Sequence, residues 1–167
     1  MFFRKSEPQM TKEGIELIKY FEGCPTDSEG NAVAYRCQAD KKTIGFGSLY
    51  LKDGTKVEDG MKITMQEAEE LLAHELKKYE KYVRNYVGVD LNSDQFSSCV
   101  ALCFNIGGNA FASSSALKKI NAEEWDDVPE KIRLWNKVTI NGEKVVSDGL
   151  VARRQAESLL FQSKPWR

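Results

Sequence analysis

Glu22 stands where a carboxyl could act as an acid. Residues 11–22 show helical periodicity, with Ile15, Ile18 and Phe21 on one face and Thr11 as the capping residue. Gly23 and Pro25 are the stop signals, so Glu22 falls at the last helical position. A carboxyl there faces the negative end of the helix dipole, which favours its protonated form, and a partly dry cleft would add to that. That is the state a general acid needs near neutral pH. Position alone nevertheless favours an ordinary surface glutamate. The second unusual feature is Thr43-Ile44-Gly45-Phe46-Gly47, in which two glycines flank an aromatic within a strand-like segment. Glycine in a strand marks a bulge or a close approach of backbone or ligand. A threonine hydroxyl opening such a segment can position a water.

Other chemistries find little support. His74 is the only histidine, lies off the apolar stripe of its helix, and reads as a solvated surface residue. The four cysteines, Cys24, Cys37, Cys99 and Cys103, form no CxxC and no Cys/His cluster, so no metal, no other cofactor and no His-dependent triad is expected. Cys99 and Cys103 sit four apart in an apolar helical pattern and read as buried thiols. A Cys24–Cys37 bridge stays open for an oxidising compartment. The 24 basic residues face 25 acidic ones, a net charge of −1, which argues against a nucleic-acid partner. With 41 % hydrophobic and 10 % aromatic residues over 167 positions, the chain can bury a core. No run approaches the roughly 18 apolar residues of a membrane span. The opening Met-Phe-Phe-Arg-Lys-Ser-Glu-Pro lacks the apolar run of about 7–15 residues of a secretory signal, so none is expected.

Several elements must position these residues. The polar segment 25–33 reads as a loop or hairpin tip, and short strands are expected at 34–37 and 43–51. Asp53-Gly54 is a two-residue hairpin signal with 55–57 returning, so residues 33–58 read as a small antiparallel sheet. Thr64-Met-Gln-Glu67 is a capping box opening a helix of about 23 residues, roughly 35 Å long. Its stripe is Ala68, Leu72, Leu76, Tyr79, Val83 and Tyr86, and Gly88 ends it. Helical pattern resumes from 92, with Phe96, Cys99, Val100, Cys103 and Phe104 as a stripe stopped by Gly107-Gly108. Helices follow at 114–120 and 123–135, the second restarting near Pro129. Asn141-Gly142 marks a hairpin over 138–146, and 150–161 is a closing amphipathic helix carrying Arg153, Arg154 and Glu157. The class is α+β.

The pieces Phe21-Glu22-Gly23, Ala34-Tyr35, Thr43-Ile44-Gly45-Phe46-Gly47, Phe104-Asn105-Ile106-Gly107, Trp135 and Gly149-Leu150 leading to Arg153-Arg154-Gln155-Ala156-Glu157 resemble the phage-type lysozymes, glycoside hydrolase family 24. The resemblance spans most of the chain and rests on order and spacing together. It implies a lysozyme-like, two-lobed fold: a small antiparallel sheet lobe over about 23–64, a connecting helix at 65–87, and a helical lobe over 88–167 against which helix 11–22 packs. It implies a muramidase hydrolysing the β-1,4 bond between N-acetylmuramic acid and N-acetylglucosamine. Carried over by position, Glu22 resembles the general acid and Thr43 the residue orienting the attacking water. Cys37, separated from Thr43 by five residues, takes the place where other members hold an aspartate. Tyr35, Phe46, Asn105, Arg153 and Arg154 fall at substrate-binding positions, and one of the two arginines would approach Glu22.

Three departures stand out. Fourteen residues separate Glu22 from Cys37, longer than the family's usual gap, and the surplus falls in 25–33. Cys37 replaces a carboxylate, leaving it to ionise, to assist Thr43 in holding the water, or to yield its role to Asp40, Asp27 or Glu29; assistance to Thr43 is the favoured reading. Ser48 stands where the family often has histidine. The expected activity is that of a phage or prophage endolysin acting as a monomer on peptidoglycan strands. Such a chain would be made in the host cytoplasm without a signal and released to the periplasmic wall by a separate holin. A catalytically weak wall-binding protein on the same scaffold, or a secreted antibacterial toxin, are the alternatives.

Overall fold

Glycines and caps set the boundaries of the first elements. The computed structural model describes residues 7–167, so the segment read above for a signal lies largely outside the described residues. Helix α1 runs Lys12–Glu22, and the Thr11 hydroxyl accepts from the Gly14 amide at 3.0 Å. Gly23, at φ +67°, donates its amide to the Lys19 carbonyl and ends the helix after Glu22. The described chain divides into two compact units. One is Ile18–Lys78; the other is Tyr79–Arg167 with the described residues up to Leu17.

In the unit Ile18–Lys78, short antiparallel pairs replace the single sheet expected over 33–58. Strand β1 (Ala32–Val33) pairs with β4 (Lys62–Ile63), and β2 (Tyr35–Arg36) with β3 (Lys42–Thr43). The expected strand 43–51 is interrupted. Ile44 and Ser48 exchange backbone hydrogen bonds at 2.9 and 3.0 Å, closing a loop over Gly45-Phe46-Gly47. Gly45 and Gly47 have φ of +62° and +98°, conformations that side chains other than glycine rarely adopt. The segment 25–33 is a hairpin tip, as expected: Thr26 bridges Ala32, and Asp27 caps the turn by accepting from the amides of Glu29 and Asn31. The Asp53-Gly54 hairpin forms, but its tip is Lys52–Gly54, closed by the Leu51 amide on the Thr55 carbonyl. Ile44, Val57 and Leu71 form the core, with Ala34, Leu51, Met61 and Ile63 packed on it.

The capping box forms as read: Glu67 donates its amide to the Thr64 hydroxyl at 3.0 Å, and its carboxylate accepts from the Thr64 amide at 2.7 Å. It opens α2, Met65–Tyr86, whose stripe buries Ala68, Leu72, Leu76 and Val83. His74 is exposed on this helix.

The helical unit centres on α3 (Ser93–Ile106), opened by an Asn92/Gln95 capping box and packed along α7 (Asp148–Phe161). Cys99 and Cys103 are buried in α3, as expected. The first turn of α1 lies against α3, with the Thr11 amide donating to the Ser97 hydroxyl at 2.8 Å. Between α3 and α7 in sequence come α4 (Gly108–Ser113), which the residue pattern does not predict, α5 (Ser115–Asn121), and α6 (Val128–Arg133) with Pro129 in its first turn. The expected hairpin is β5 (Lys137–Ile140) with β6 (Glu143–Val146), turned by Asn141 and Gly142, both at positive φ.

Helix α7 departs from an ordinary amphipathic helix. Arg153, Arg154 and Glu157 are all buried, Arg154 and Glu157 completely. Burial of these charges is tolerated because they pair: Arg153 Nε lies 3.1 Å from Glu157 Oε1 and Arg154 Nη1 2.7 Å from Oε2. Among the described residues no helix is long and apolar enough to cross a membrane.

Candidate active site

The three residues nominated for catalysis lie in the unit Ile18–Lys78: Glu22 at the end of α1, Cys37 in the turn after β2, and Thr43 at the end of β3. The β2–β3 register places Tyr35 opposite Thr43. The turn between them is tight. Cys37 donates its amide to the Lys41 carbonyl at 3.0 Å, and its own carbonyl accepts from Asp40, which sits at φ +55°. Thr43 is almost completely buried, and its hydroxyl donates to the Lys41 carbonyl at 2.8 Å. That fixes the hydroxyl rotor, so the Thr43 oxygen keeps its acceptor capacity in a set direction.

The Cys37 sulfur is half-exposed and held below its ordinary pKa, first by hydrogen bonding to the Lys41 backbone and then by the Ala39 backbone and the Thr43 side chain. Cys24, also a free thiol, is pushed the other way by burial, against the pull of Lys19. Tyr35 is raised chiefly by burial, and then by the nearby negative charges of Glu22, Cys24 and Cys37.

The loop after Thr43 folds back on Glu22. A Cβ added at Gly47 would lie 3.3 Å from Glu22 Oε2, so the bare backbone of Gly47 is what leaves the carboxylate its place. Phe46, nominated for substrate contact, is instead buried, with the Lys19 ammonium 5.6 Å above its ring. Lys19 also pairs with Glu69 of α2 at 2.6 Å.

The three alternative carboxylates are paired or exposed to solvent. Asp27 holds its own turn and pairs with Lys62 at 3.0 Å. Asp40 pairs with Arg36 at 3.5 Å, its side chain largely exposed, and Glu29 is exposed on the hairpin tip.

Asn105, Arg153 and Arg154 lie in the other unit. Arg154 donates to the Asn105 side-chain carbonyl and to Glu157; Arg153 donates to Glu157 and, at 3.5 Å, to the Ala101 carbonyl. Burial pushes the Glu157 carboxyl up, and the two guanidinium groups oppose it. Among the described residues no group of three or more His, Cys, Asp or Glu side chains could hold a metal ion.

Sequence reasoning missed Glu75. It lies on α2, one turn past Leu71 and Leu72, and is half-buried. Burial is the main cause that raises it, and Glu22 adds to that. The one available signal was Ser48, standing where the family often has histidine.

A short helix ending in a carboxyl, short hairpins, a long helix and a set of packed helices make up a lysozyme-like fold. The endolysin of Escherichia coli O157:H7 phage FAHEc1 shares that fold at a TM-score of 0.85 and 34 % identity, covering 95 % of this chain and 96 % of that one. Residues 19–157 match the family model described as phage lysozyme, and the chain belongs to that family. The endolysin of Salmonella phage P22 is 33 % identical over 155 residues, 93 % of this chain and 99 % of its own length. The SAR-endolysin of Pseudomonas phage phiKMV is 35 % identical over 144 residues, 86 % of each chain.

Proposed function

We propose that this phage lysozyme is an endolysin that hydrolyses the β-1,4 bond between N-acetylmuramic acid and N-acetylglucosamine, with Glu22 as general acid. In this reading Glu22 gives its proton to the glycosidic oxygen as the bond to the anomeric carbon breaks. A water held by Thr43, with Cys37 assisting, adds to that carbon and releases its proton to solvent, leaving N-acetylmuramic acid at the new reducing end. A water attacking opposite the leaving group inverts the anomeric centre. The observation that supports this most is the 3.3 Å approach of Glu22 Oε2 to the Gly47 position. It joins the acid to the loop that Thr43 opens, inside one compact unit.

Cys37 fits an assisting role better than that of a required nucleophile. Its thiol is partly exposed, donors of its own turn favour its ionised form, and Thr43 is among its partners. Tyr35 and Asn105 remain proposed substrate contacts, and Arg153 and Arg154 are proposed to act from their buried pair with Glu157. Delivery is proposed to need a separate holin, with the enzyme working on the wall as a monomer.

Mass spectrometry of digested peptidoglycan tests the reaction. Muramic acid at the new reducing ends is expected; a 1,6-anhydro product would mean that no water is added and would remove the role given to Thr43. Binding of saccharide without new reducing ends would instead make the chain a wall-binding protein. Cys37→Ser is expected to keep measurable activity with an unchanged pH dependence, and complete loss would make the thiolate essential.

A further inference from the structure

The Lys41 carbonyl is the hub of the turn that joins β2 to β3. The Asp40 amide donates to the Cys37 carbonyl at 2.8 Å, and the Cys37 amide donates to the Lys41 carbonyl at 3.0 Å. Between those two bonds the chain passes through the left-handed region, at Asp40, whose φ is +55°. In a three-residue hairpin loop this position usually belongs to glycine. Aspartate and asparagine are the other types that tolerate it. Arg36 of β2 clasps the residue, with Nη1 3.3 Å from the Asp40 carbonyl and 3.5 Å from its carboxylate. The geometry fixes one oxygen. The Lys41 carbonyl also accepts from the Thr43 hydroxyl at 2.8 Å, so both of its lone pairs are used. The buried Thr43 hydroxyl has one proton, and that proton is committed. Toward a water, the Thr43 oxygen is therefore an acceptor only.

We propose that Asp40 is a positioning residue for the hydrolysis and acts through its backbone conformation, not its carboxylate: held left-handed, it aims the Lys41 carbonyl at the Thr43 hydroxyl, which then accepts from the attacking water. This rests on Thr43 being the residue that holds the water. A water that donates one proton to Thr43 keeps its lone pairs for the anomeric carbon, and the direction of the Thr43 oxygen sets where they point. A Thr43 hydroxyl free to rotate would instead donate to the water and occupy a lone pair needed for attack. The Lys41 carbonyl removes that competition. The carboxylate of Asp40 takes no part in these bonds. Its side chain is 84 % exposed and paired with Arg36, while the links that reach Thr43 run through the backbone of Cys37 and Lys41. Asp40 therefore does not replace the carboxylate missing at Cys37; it shapes the turn on which Thr43 depends.

The test is kcat and KM for reducing-end release from purified peptidoglycan across a series at position 40, with thermal melting as the check on folding. Asp40→Asn and Asp40→Gly lose the charge but take the left-handed conformation readily, so each should hold kcat within about twofold of native. A β-branched residue is a true outlier at φ +55°, so Asp40→Val opens the turn and draws the Lys41 carbonyl off Thr43. It is expected to lower kcat about tenfold or more with KM near native, because the water is misplaced and the glycan is not. A folded Asp40→Val with native kcat would overturn the proposal. Asp40→Ala is strained less and serves if Asp40→Val does not fold. Its kcat should sit about fivefold below that of Asp40→Asn, and equal values would overturn the proposal. A folded Asp40→Asn as slow as Glu22→Gln would also overturn it, since the carboxylate itself would then take part in the reaction. Thr43→Val, run beside them, separates the two claims. If it is inactive while Asp40→Val keeps native kcat, the role of the turn fails alone; if Thr43→Val keeps native kcat, the water assignment fails first and the proposal falls with it.

Discussion

Gly47→Ala should damage catalysis more than it damages the fold. At φ +98° a non-glycine residue is strained by about 1–2 kcal/mol. The added methyl would also stand 3.3 Å from Glu22 Oε2, tighter than ordinary van der Waals contact. The carboxylate ends a flexible side chain, so it yields by a few tenths of an ångström. Misplacement of a catalytic group by about 1 Å can cost roughly 100-fold, so a fraction of that shift corresponds to about tenfold in kcat. Gly45→Ala is the matched control. Its φ is +62°, and its methyl would meet Ala68 Cβ at 3.4 Å, away from the acid. Both variants should melt about 2–8 °C below the native chain. Initial rates of reducing-end release would then separate them, with Gly47→Ala roughly tenfold slower than Gly45→Ala. Equal rates in the two variants would refute the claim that Gly47 makes room for the Glu22 carboxyl.

The remaining expectations concern charges used for the fold. Asp27 is held at about 2, well below its ordinary value, first by the Asn31 backbone amide and then by Lys62. A depressed carboxylate stabilises above its unfolded value near 3.9 and loses that contribution as pH falls toward 2. Asp27→Asn should therefore melt lower than the native chain at neutral pH, the difference shrinking below pH 4 and closing near pH 2; a difference constant across that range would contradict this. Glu157→Gln removes the shared partner of two buried guanidinium groups and should cost about 3–5 kcal/mol in denaturant unfolding. A cost below about 1 kcal/mol would mean that the arginines find other partners.

What could be read from residue order was local. The Thr64/Glu67 box, the Asn141-Gly142 turn and the stop at Gly23 each involve side chains within a few positions of one another, and all three formed. The β1–β4 pair was not legible, because Ala32 meets Ile63 across two intervening hairpins and nothing in residues 62–63 marks a strand. The segment 43–51 looked like a strand because Ile44, Phe46 and Leu49 are β-formers, yet the two glycines allow a tighter closure that propensity does not capture. Arg153, Arg154 and Glu157 have the spacing of an exposed helical ion-pair set. Their burial depends on α3 lying along α7, a tertiary fact. In the site, Glu22 and Thr43 could be nominated from helix end and motif. Glu75 could not, since a glutamate beside an apolar stripe is ordinary until its partial burial is seen.

The most direct measurement is the rate at which Glu22→Gln releases reducing ends from purified peptidoglycan, on protein whose melting temperature and circular dichroism match the native chain. Loss of the proton donor should lower that rate by about 100-fold or more at every pH from 5 to 8. A folded Glu22→Gln enzyme retaining more than about a tenth of native activity would contradict the assignment of Glu22 as the acid.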